Sequence, residues 1–315
     1  MALETEHALP AGHLLHHYRI EHTLGGNGPV NFVYLAHDTK RNAPVVIKEY
    51  LPSGYAMRMD DQAIETVSEV TPCAFRQGRQ LFFDEATALA KIEHPNIVRV
   101  TDAFLENSTV YLVMAYEDGQ ELHRYIKQHR GGLSEKSIHM MFLQLLEGLR
   151  ALHDHHRLHL DIKPANIYLL PDGRPLLFDV GAVQAPTGIQ RCNVYTLTPG
   201  FAPLEQHERR HIGPWTDLYA LGASMYTCMC GRAPPAAPER AALDIYKPAR
   251  RRFARRYSRT LLDAVDWCLT MDPLQRPQRA DDLLIFLNQK PRKRPPEPPD
   301  SLSSWLRAKL RFGRS

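Results

Sequence analysis

Hydrophobic and polar positions divide the chain into two differently patterned stretches. Between residues 18 and 116 the apolar residues come in short runs: Tyr18-Arg19-Ile20, Phe32-Val33-Tyr34-Leu35, Val45-Val46-Ile47, then 97–104 and 110–116. Runs of this length, rich in Val, Ile, Tyr and Phe and bounded by Gly, Pro or Asn, predict β-strands. Five strands are expected. Residues 81–92 break the pattern, with Leu81, Ala88, Leu89 and Ile92 at helical spacing, Glu85 between them and His94-Pro95-Asn96 as the stop. A turn-rich insert, residues 52–78, separates the third strand from that helix. From residue 137 the period changes. Ile138, Met141, Phe142, Leu145, Leu149 and Leu152 share one helical face, residues 217–230 form an apolar helix, and 168–170 and 176–178 read as short strands around Pro171-Asp172-Gly173. The fold class is α+β, strand-rich first and helical afterwards. Four segments follow: a flexible leader over 1–14, a first lobe over 15–116, a second over 117–289, and a tail over 290–315.

Composition narrows this little. With 315 residues, 43% hydrophobic and 23% charged, the chain is ordinary for a soluble globular protein. Five scattered cysteines without a C-x-x-C pair argue against structural zinc, and with no secretion signal in view they favour a reducing cytoplasm. No apolar run is long enough to span a bilayer. The histidines at 153, 155, 156 and 159 would not share one helical face and read as a polar helix end and loop. Charge is unevenly placed. Residues 291–315 hold seven Lys/Arg against two acids, a net of +5, while the whole chain is +4, so the rest sums to −1.

The chemistry concentrates at residues 159–166, H-L-D-I-K-P-A-N, followed thirteen residues after Asn166 by Asp179-Val180-Gly181. Asp161 can accept a hydroxyl proton, Lys163 can neutralise a phosphoryl group, and Asn166 with Asp179 can hold a divalent metal. In-line phosphoryl transfer requires those parts, because its catalysis is mostly positioning and charge stabilisation. Alone, the motif reads equally as a surface loop whose polar residues solvate a turn. The glycine-rich stretch Gly25-Gly26-Asn27-Gly28 is likewise an ordinary hairpin or a phosphate cradle.

Taken in order, Lys48 on the third strand, Glu85 on a helix, H-L-D-I-K-P-A-N, Asp179-Val180-Gly181 and Glu205 in T-P-x-x-x-P-x-E resemble a eukaryotic-like protein kinase. The resemblance covers about residues 15–288 and is nearest to bacterial Ser/Thr kinases, through Ile47-Lys48-Glu49-Tyr50-Leu51-Pro52-Ser53. It implies a bilobal fold, with a five-stranded N-lobe sheet carrying one main helix and a mostly helical C-lobe. It also implies transfer of the γ-phosphoryl group of ATP to protein Ser/Thr hydroxyls, the kinase's own included, with Mg²⁺ or Mn²⁺. Asp161 would be the base and Lys163 the γ-phosphate contact, with Asn166 and Asp179 as metal ligands. ATP would meet Gly25, Gly26, Gly28, Val33, Lys48 paired with Glu85, Met114, the hinge at Tyr116, and Glu121. Thr198 would frame the acceptor hydroxyl, Asp217 would hold the catalytic-loop backbone, and Glu205 would pair with Arg276. The competing reading is a pseudokinase that binds nucleotide or serves as a scaffold.

Four positions depart from the family's pattern. The glycine loop has an extra residue and a proline, Pro29; Val46 stands where alanine is usual; Val180 replaces the D-F-G phenylalanine; and Leu160 replaces the arginine before the catalytic acid. Without that arginine a phosphorylated activation loop lacks its usual charge partner, so activity is expected to depend little on loop phosphorylation. Residues 247–259 carry seven cations, which is either a solvated face or a docking patch for an acidic partner. Nucleic acid is disfavoured, because no aromatic stacking pattern accompanies the charges. The tail is a proline-rich linker at 291–300, then Leu302, Trp305, Leu306 and Leu310 at helical spacing among basic residues. That segment, 301–312, suits weak contact with the inner face of a membrane or with another protein.

Overall fold

The computed structural model describes residues 7–25, 31–52, 55–67, 72–179, 197–208 and 210–289. The first lobe contains β1 (Leu14–Leu15), β2 (Tyr18–Gly25), β3 (Asn31–Asp38), β4 (Ala43–Tyr50), β5 (Ala56–Arg58), β6 (Ile64–Thr66), α1 (Pro72–Leu89), β7 (Val100–Glu106) and β8 (Thr109–Ala115). Among the described residues an antiparallel sheet runs β1-β2-β3-β4-β8-β7, and β5 and β6 form a separate hairpin. The sheet therefore has six strands where the sequence predicts five, because the two-residue β1 pairs with the start of β2.

Both faces of this sheet are covered, which is why β4 reads as a continuous apolar run. On the inner face Val46, Leu112 and Met114 pack with Phe82, Ala86 and Leu89 of α1. On the outer face Tyr34, Ile47, Tyr111 and Val113 pack with Leu9 and Leu15. Residues 7–14, read as leader, thus lie against the sheet, and the Leu9 N–H donates to the Tyr34 hydroxyl at 3.1 Å. The hairpin is tied on beside them. Arg58 donates through Nη2 to both oxygens of Glu49 at 2.5 Å and through Nε to the His7 carbonyl at 2.8 Å. Tyr34 and Tyr111 donate to the same carboxylate at 2.7 and 2.6 Å. Helix α1 begins at Pro72, inside the segment read as a turn-rich insert. Position 78 of that helix is a glycine because Tyr50 lies against it; a Cβ there would sit 2.0 Å from the Tyr50 hydroxyl.

The second lobe contains β9 (Gln120–Glu121), α2 (Leu122–Gln128), α3 (Glu135–Asp154), β10 (Ile167–Leu169), β11 (Pro175–Leu177), α4 (Leu204–His207), α5 (Pro214–Cys230), α6 (Ala237–Ala242), α7 (Ala249–Arg252), α8 (Arg259–Cys268) and α9 (Ala280–Leu287). Ser134 caps α3 by accepting from the Ser137 N–H, and Ile138, Met141, Phe142, Leu145, Leu149 and Leu152 are all buried. Helix α5 is buried on every side and stops at Gly231, whose φ of 72° closes the last turn. The lobes meet where Asn96 Nδ2 donates to the Pro175 carbonyl at 2.7 Å and Leu177 donates to the Asn96 carbonyl at 2.8 Å.

Candidate active site

The loop at 159–166 connects α3 to β10 and is held by a buried carboxylate. Asp217, wholly buried in the first turn of α5, accepts the His159 N–H and the Leu160 N–H, both at 2.8 Å. These bonds hold Leu160 at φ 63°, left-handed backbone that a leucine does not adopt freely. His153 adds a third contact to Asp217 at 2.9 Å, and Gln206 donates to the Leu160 carbonyl at 3.0 Å. His159 is buried as well. Its Nε2 bonds the Phe178 carbonyl at 3.1 Å while Nδ1 accepts from the Asp161 N–H at 3.4 Å, an arrangement that places the ring proton on Nε2. Two of the histidines read as a polar helix end and loop are therefore packed supports. Their sequence signal was indirect, since a histidine beside an acid from a distant helix cannot be paired by spacing.

On this loop four side chains converge. Asp161 Oδ2 accepts from Lys163 Nζ at 2.7 Å and from Asn166 Nδ2 at 2.9 Å. Its other oxygen accepts from the Thr198 hydroxyl at 3.0 Å, and that hydroxyl accepts from Lys163 Nζ at 3.0 Å. Asp179 follows β11, and the Phe178 N–H just before it donates to the Asn166 carbonyl at 2.8 Å. Loop and acid are thus fixed to one another.

Lys48 projects from the inner face of β4 and joins Asp179, not Glu85. The sequence resemblance implies a Lys48–Glu85 pair; here the lysine takes the acid that keeps its charge. Burial alone would push the Asp179 carboxyl up, but Lys48, with Lys163 beyond it, holds it below the usual carboxylate range. Glu85 differs. It is 7% exposed, and among the described residues no cation lies within ion-pair distance of it. Burial pushes its carboxyl well above the ordinary value, against the opposing fields of Lys48 and Arg157. A raised folded-state pKa means that folding takes up a proton at Glu85. Stability then falls as pH climbs from the unfolded value of 4.5 toward the folded one. Glu85→Gln removes this dependence. In thermal melts its gain in unfolding midpoint over the parent protein is expected to be small at pH 5 and larger at pH 8. An equal gain at both pH values would contradict the account.

Above the loop, Val46 and Met114 are paired across β4 and β8, and Val33 is paired with Lys48 across β3 and β4. Val46 and Met114 are buried at 5% and 2% exposure. Tyr116 is on the exposed connection that follows β8, and Glu121 on β9 is paired with Tyr168 on β10. Tyr168 packs at a tilt on Phe178 with ring centroids 4.7 Å apart, so an aromatic pair lies beside Asp179. The sequence shows Tyr168 only as a strand residue. Gly25 ends β2 opposite Val33, while Gly26, Gly28 and Val180 lie outside the described residues. Away from the loop, Glu205 and Arg276 form a buried two-pronged pair at 2.6 and 3.2 Å, with Thr216 donating to Glu205 at 3.1 Å.

Asp179 and Asn166 offer hard oxygen donors, and among the described residues no cluster of three His, Cys, Asp or Glu forms a closed metal cage. Two protein oxygens suit a small, hard divalent cation, which binds through one or two such oxygens together with phosphate and water.

Comparison with known proteins places this arrangement. The family model of the protein kinase domain matches residues 18–284. The chain belongs to the protein kinase family. The serine/threonine-protein kinase PkaA of Streptomyces coelicolor is 34% identical over 158 residues, covering 49% of this chain and 29% of the relative. Serine/threonine-protein kinase F of Synechocystis is 28% identical over 290 residues, covering 84% of this chain and 54% of the relative. A solved structure described as the PpkA-294 apo form is 33% identical, with a TM-score of 0.78 over 89% of this chain and 99% of that one. The chain thus spans about a third to a half of the length of those two curated relatives, both serine/threonine kinases. Family membership implies use of ATP with a divalent metal and of protein substrates.

Proposed function

We propose that this chain is a serine/threonine protein kinase that transfers the γ-phosphoryl group of ATP to Ser/Thr hydroxyls of proteins, its own included. The observation that carries the reading is the Thr198 hydroxyl, which donates to Asp161 at 3.0 Å while accepting from Lys163 at 3.0 Å. An acceptor hydroxyl needs the same surroundings: a carboxylate to take its proton and a cation to offset the charge that develops beside it. Asp161 is the base, kept in place by Asn166 and by the Asp217-anchored backbone. Lys163 neutralises the transferring group. Lys48 would hold the α/β-phosphates, and Asn166 and Asp179 would hold the metal, which would supply positive charge to offset that of the phosphates. Val33, Val46, Met114, Tyr116 and Glu121 contact the nucleoside, with Gly25, Gly26 and Gly28 over the phosphates.

The test is incubation of the protein with Mg²⁺, labelled ATP and a generic Ser/Thr-rich protein, followed by phosphoamino-acid analysis. Phosphoserine and phosphothreonine are expected. Label confined to phosphotyrosine, or no transfer with either the added protein or the chain itself as acceptor, would sink the proposal.

Leu160 in place of a basic residue adds a second expectation. Thr196, outside the described residues, is a candidate loop phosphosite. Thr196→Ala is expected to keep most of the activity in the same assay, and loss of nearly all of it would show that loop phosphate is required. No described helix is long and apolar enough to cross a membrane. Residues 301–312 lie outside the described residues, and membrane or protein contact there rests on the sequence pattern alone.

A further inference from the structure

The basic run at 247–259 folds against the ends of two other helices. Arg256 donates to the Gly132 carbonyl, just past α2, and Arg252 donates to the Tyr226 hydroxyl of α5 at 2.7 Å. At the same place the backbones at Gly131 and Gly231 touch; a Cβ on Gly131 would lie 2.5 Å from the Gly231 nitrogen. Arg130 precedes the first of these glycines and Arg232 follows the second, so cations from three chain segments share one face.

Most of these cations contribute no ion pair to the fold. Arg250 and Arg259 reach Asp263 at 3.8 and 3.4 Å. Lys247, Arg251, Arg255, Arg130 and Arg232 are exposed, and among the described residues none has a carboxylate within 4 Å. Like charges so arranged repel one another and attract an anionic partner. Leu243 and Ile245, which lead into the run, are 73% and 57% exposed, while Asp244 between them is turned back onto Arg240 at 3.1 Å.

The face is continuous with the acceptor site. Gly200, two residues after Thr198, lies so close to the 233–234 backbone that a Cβ would sit 2.6 Å from the Pro234 carbonyl oxygen. Arg232 stands two residues before Pro234, so the basic face begins close to the acceptor segment.

We propose that the face carrying Arg130, Arg232, Lys247, Arg251 and Arg255 is a docking surface for an Asp/Glu-rich segment of the protein substrate. The proposal rests on the kinase reading above. A peptide is favoured over nucleic acid because the aromatic rings here are already taken. Arg252 covers Phe253 and Tyr226 at 5.2 and 5.7 Å, Arg256 covers Tyr257 at 5.5 Å, and Tyr257 is 3% exposed, which leaves no free platform for base stacking.

The experiment uses the full chain and two peptides with the same acceptor sequence, one extended through a Gly/Ser linker by an Asp/Glu-rich segment. Direct binding is read by fluorescence anisotropy and phosphorylation by steady-state kinetics. The extension is expected to lower KM and the dissociation constant Kd by about tenfold, the yield of a few partly exposed charge pairs, and the gain is expected to shrink with added salt. The triple variant Lys247→Glu, Arg251→Glu, Arg255→Glu is expected to abolish the gain and to leave kcat and KM for the plain peptide unchanged. The proposal is overturned if the extension brings no gain in the parent protein, or if the gain survives charge reversal. It is also overturned if single-stranded oligonucleotide or anionic vesicles bind this face more tightly than the extended peptide does. If neither peptide is phosphorylated, the kinase reading fails, and anisotropy still decides whether the face binds acidic peptide.

Discussion

Replacing Asp161 by asparagine is expected to lower phosphoryl transfer by about 10²–10⁴-fold, the usual contribution of a positioned general base. The effect should fall on kcat, with the KM for ATP little changed, because the residues assigned to the nucleoside and the α/β-phosphates, Val33, Lys48, Met114, Tyr116 and Glu121, do not bond Asp161. The fold should tolerate the change. The asparagine oxygen can keep the bonds from Lys163 and Asn166, now 2.7 and 2.9 Å, if its amide nitrogen turns toward Thr198. The Thr198 hydroxyl then accepts from that nitrogen instead of donating to a carboxylate. What is lost is the group that can take a proton. Steady-state kinetics with equal melting temperatures for parent and variant would establish this, whereas a loss below about tenfold would remove Asp161 from the role of base.

The second large effect concerns stability. Arg58→Met is expected to cost about 3–5 kcal/mol, because it removes the guanidinium from a carboxylate that is fully buried. Arg58 is 4% exposed in its side chain, so solvent screens little of the interaction. The neighbouring tyrosines cannot replace it. Burial, and then the charge of Glu49, push the Tyr34 and Tyr111 hydroxyls far above their ordinary range, so they stay neutral donors. The variant also frees the His7 carbonyl and the Gln62 carbonyl, each bonded by Arg58 at 2.8 and 2.9 Å. Urea unfolding followed by circular dichroism measures the loss. The double variant Glu49→Met, Arg58→Met should recover part of it, since no charge then remains to be compensated. A single-variant loss under about 1 kcal/mol would show that the pair is solvated in solution.

The inner half of the molecule was legible in the sequence and the outer half was not. Strands β2, β3, β4, β7 and β8 follow from short apolar runs between turn residues, and α3 and α5 follow from spacing, because burial of one face writes a period into the chain. The catalytic loop was legible for another reason: Asp161, Lys163 and Asn166 are sequence neighbours, so their convergence is local. The β5–β6 hairpin left almost no trace. Its strands have three residues each, and the partner that stabilises it, Glu49, lies on β4. The first turns of α1 were hidden because Arg76, Gln77, Gly78, Arg79 and Gln80 read as a polar turn. They are held by Phe75, which packs with Leu51, Ala56 and Ile64, and by the Tyr50 ring lying against Gly78. The partner of Lys48 was misassigned for a similar reason. Which of two acids a lysine meets depends on where burial leaves each carboxylate, and that is a property of the assembled lobe.

Leu9 and Leu15 close one side of the first lobe, yet the family pattern starts only at residue 18. Anyone trimming this gene to the recognisable segment would cut away the cover and keep the surface beneath it. Tyr34, Ile47, Tyr111 and Val113 would then share an open apolar wall, and Arg58 would lose its hold on the His7 carbonyl. An uncovered apolar wall of this kind favours association, so such a fragment is expected to collect in inclusion bodies. Expression trials starting at residue 18 and at residue 7 should separate cleanly into pellet and supernatant.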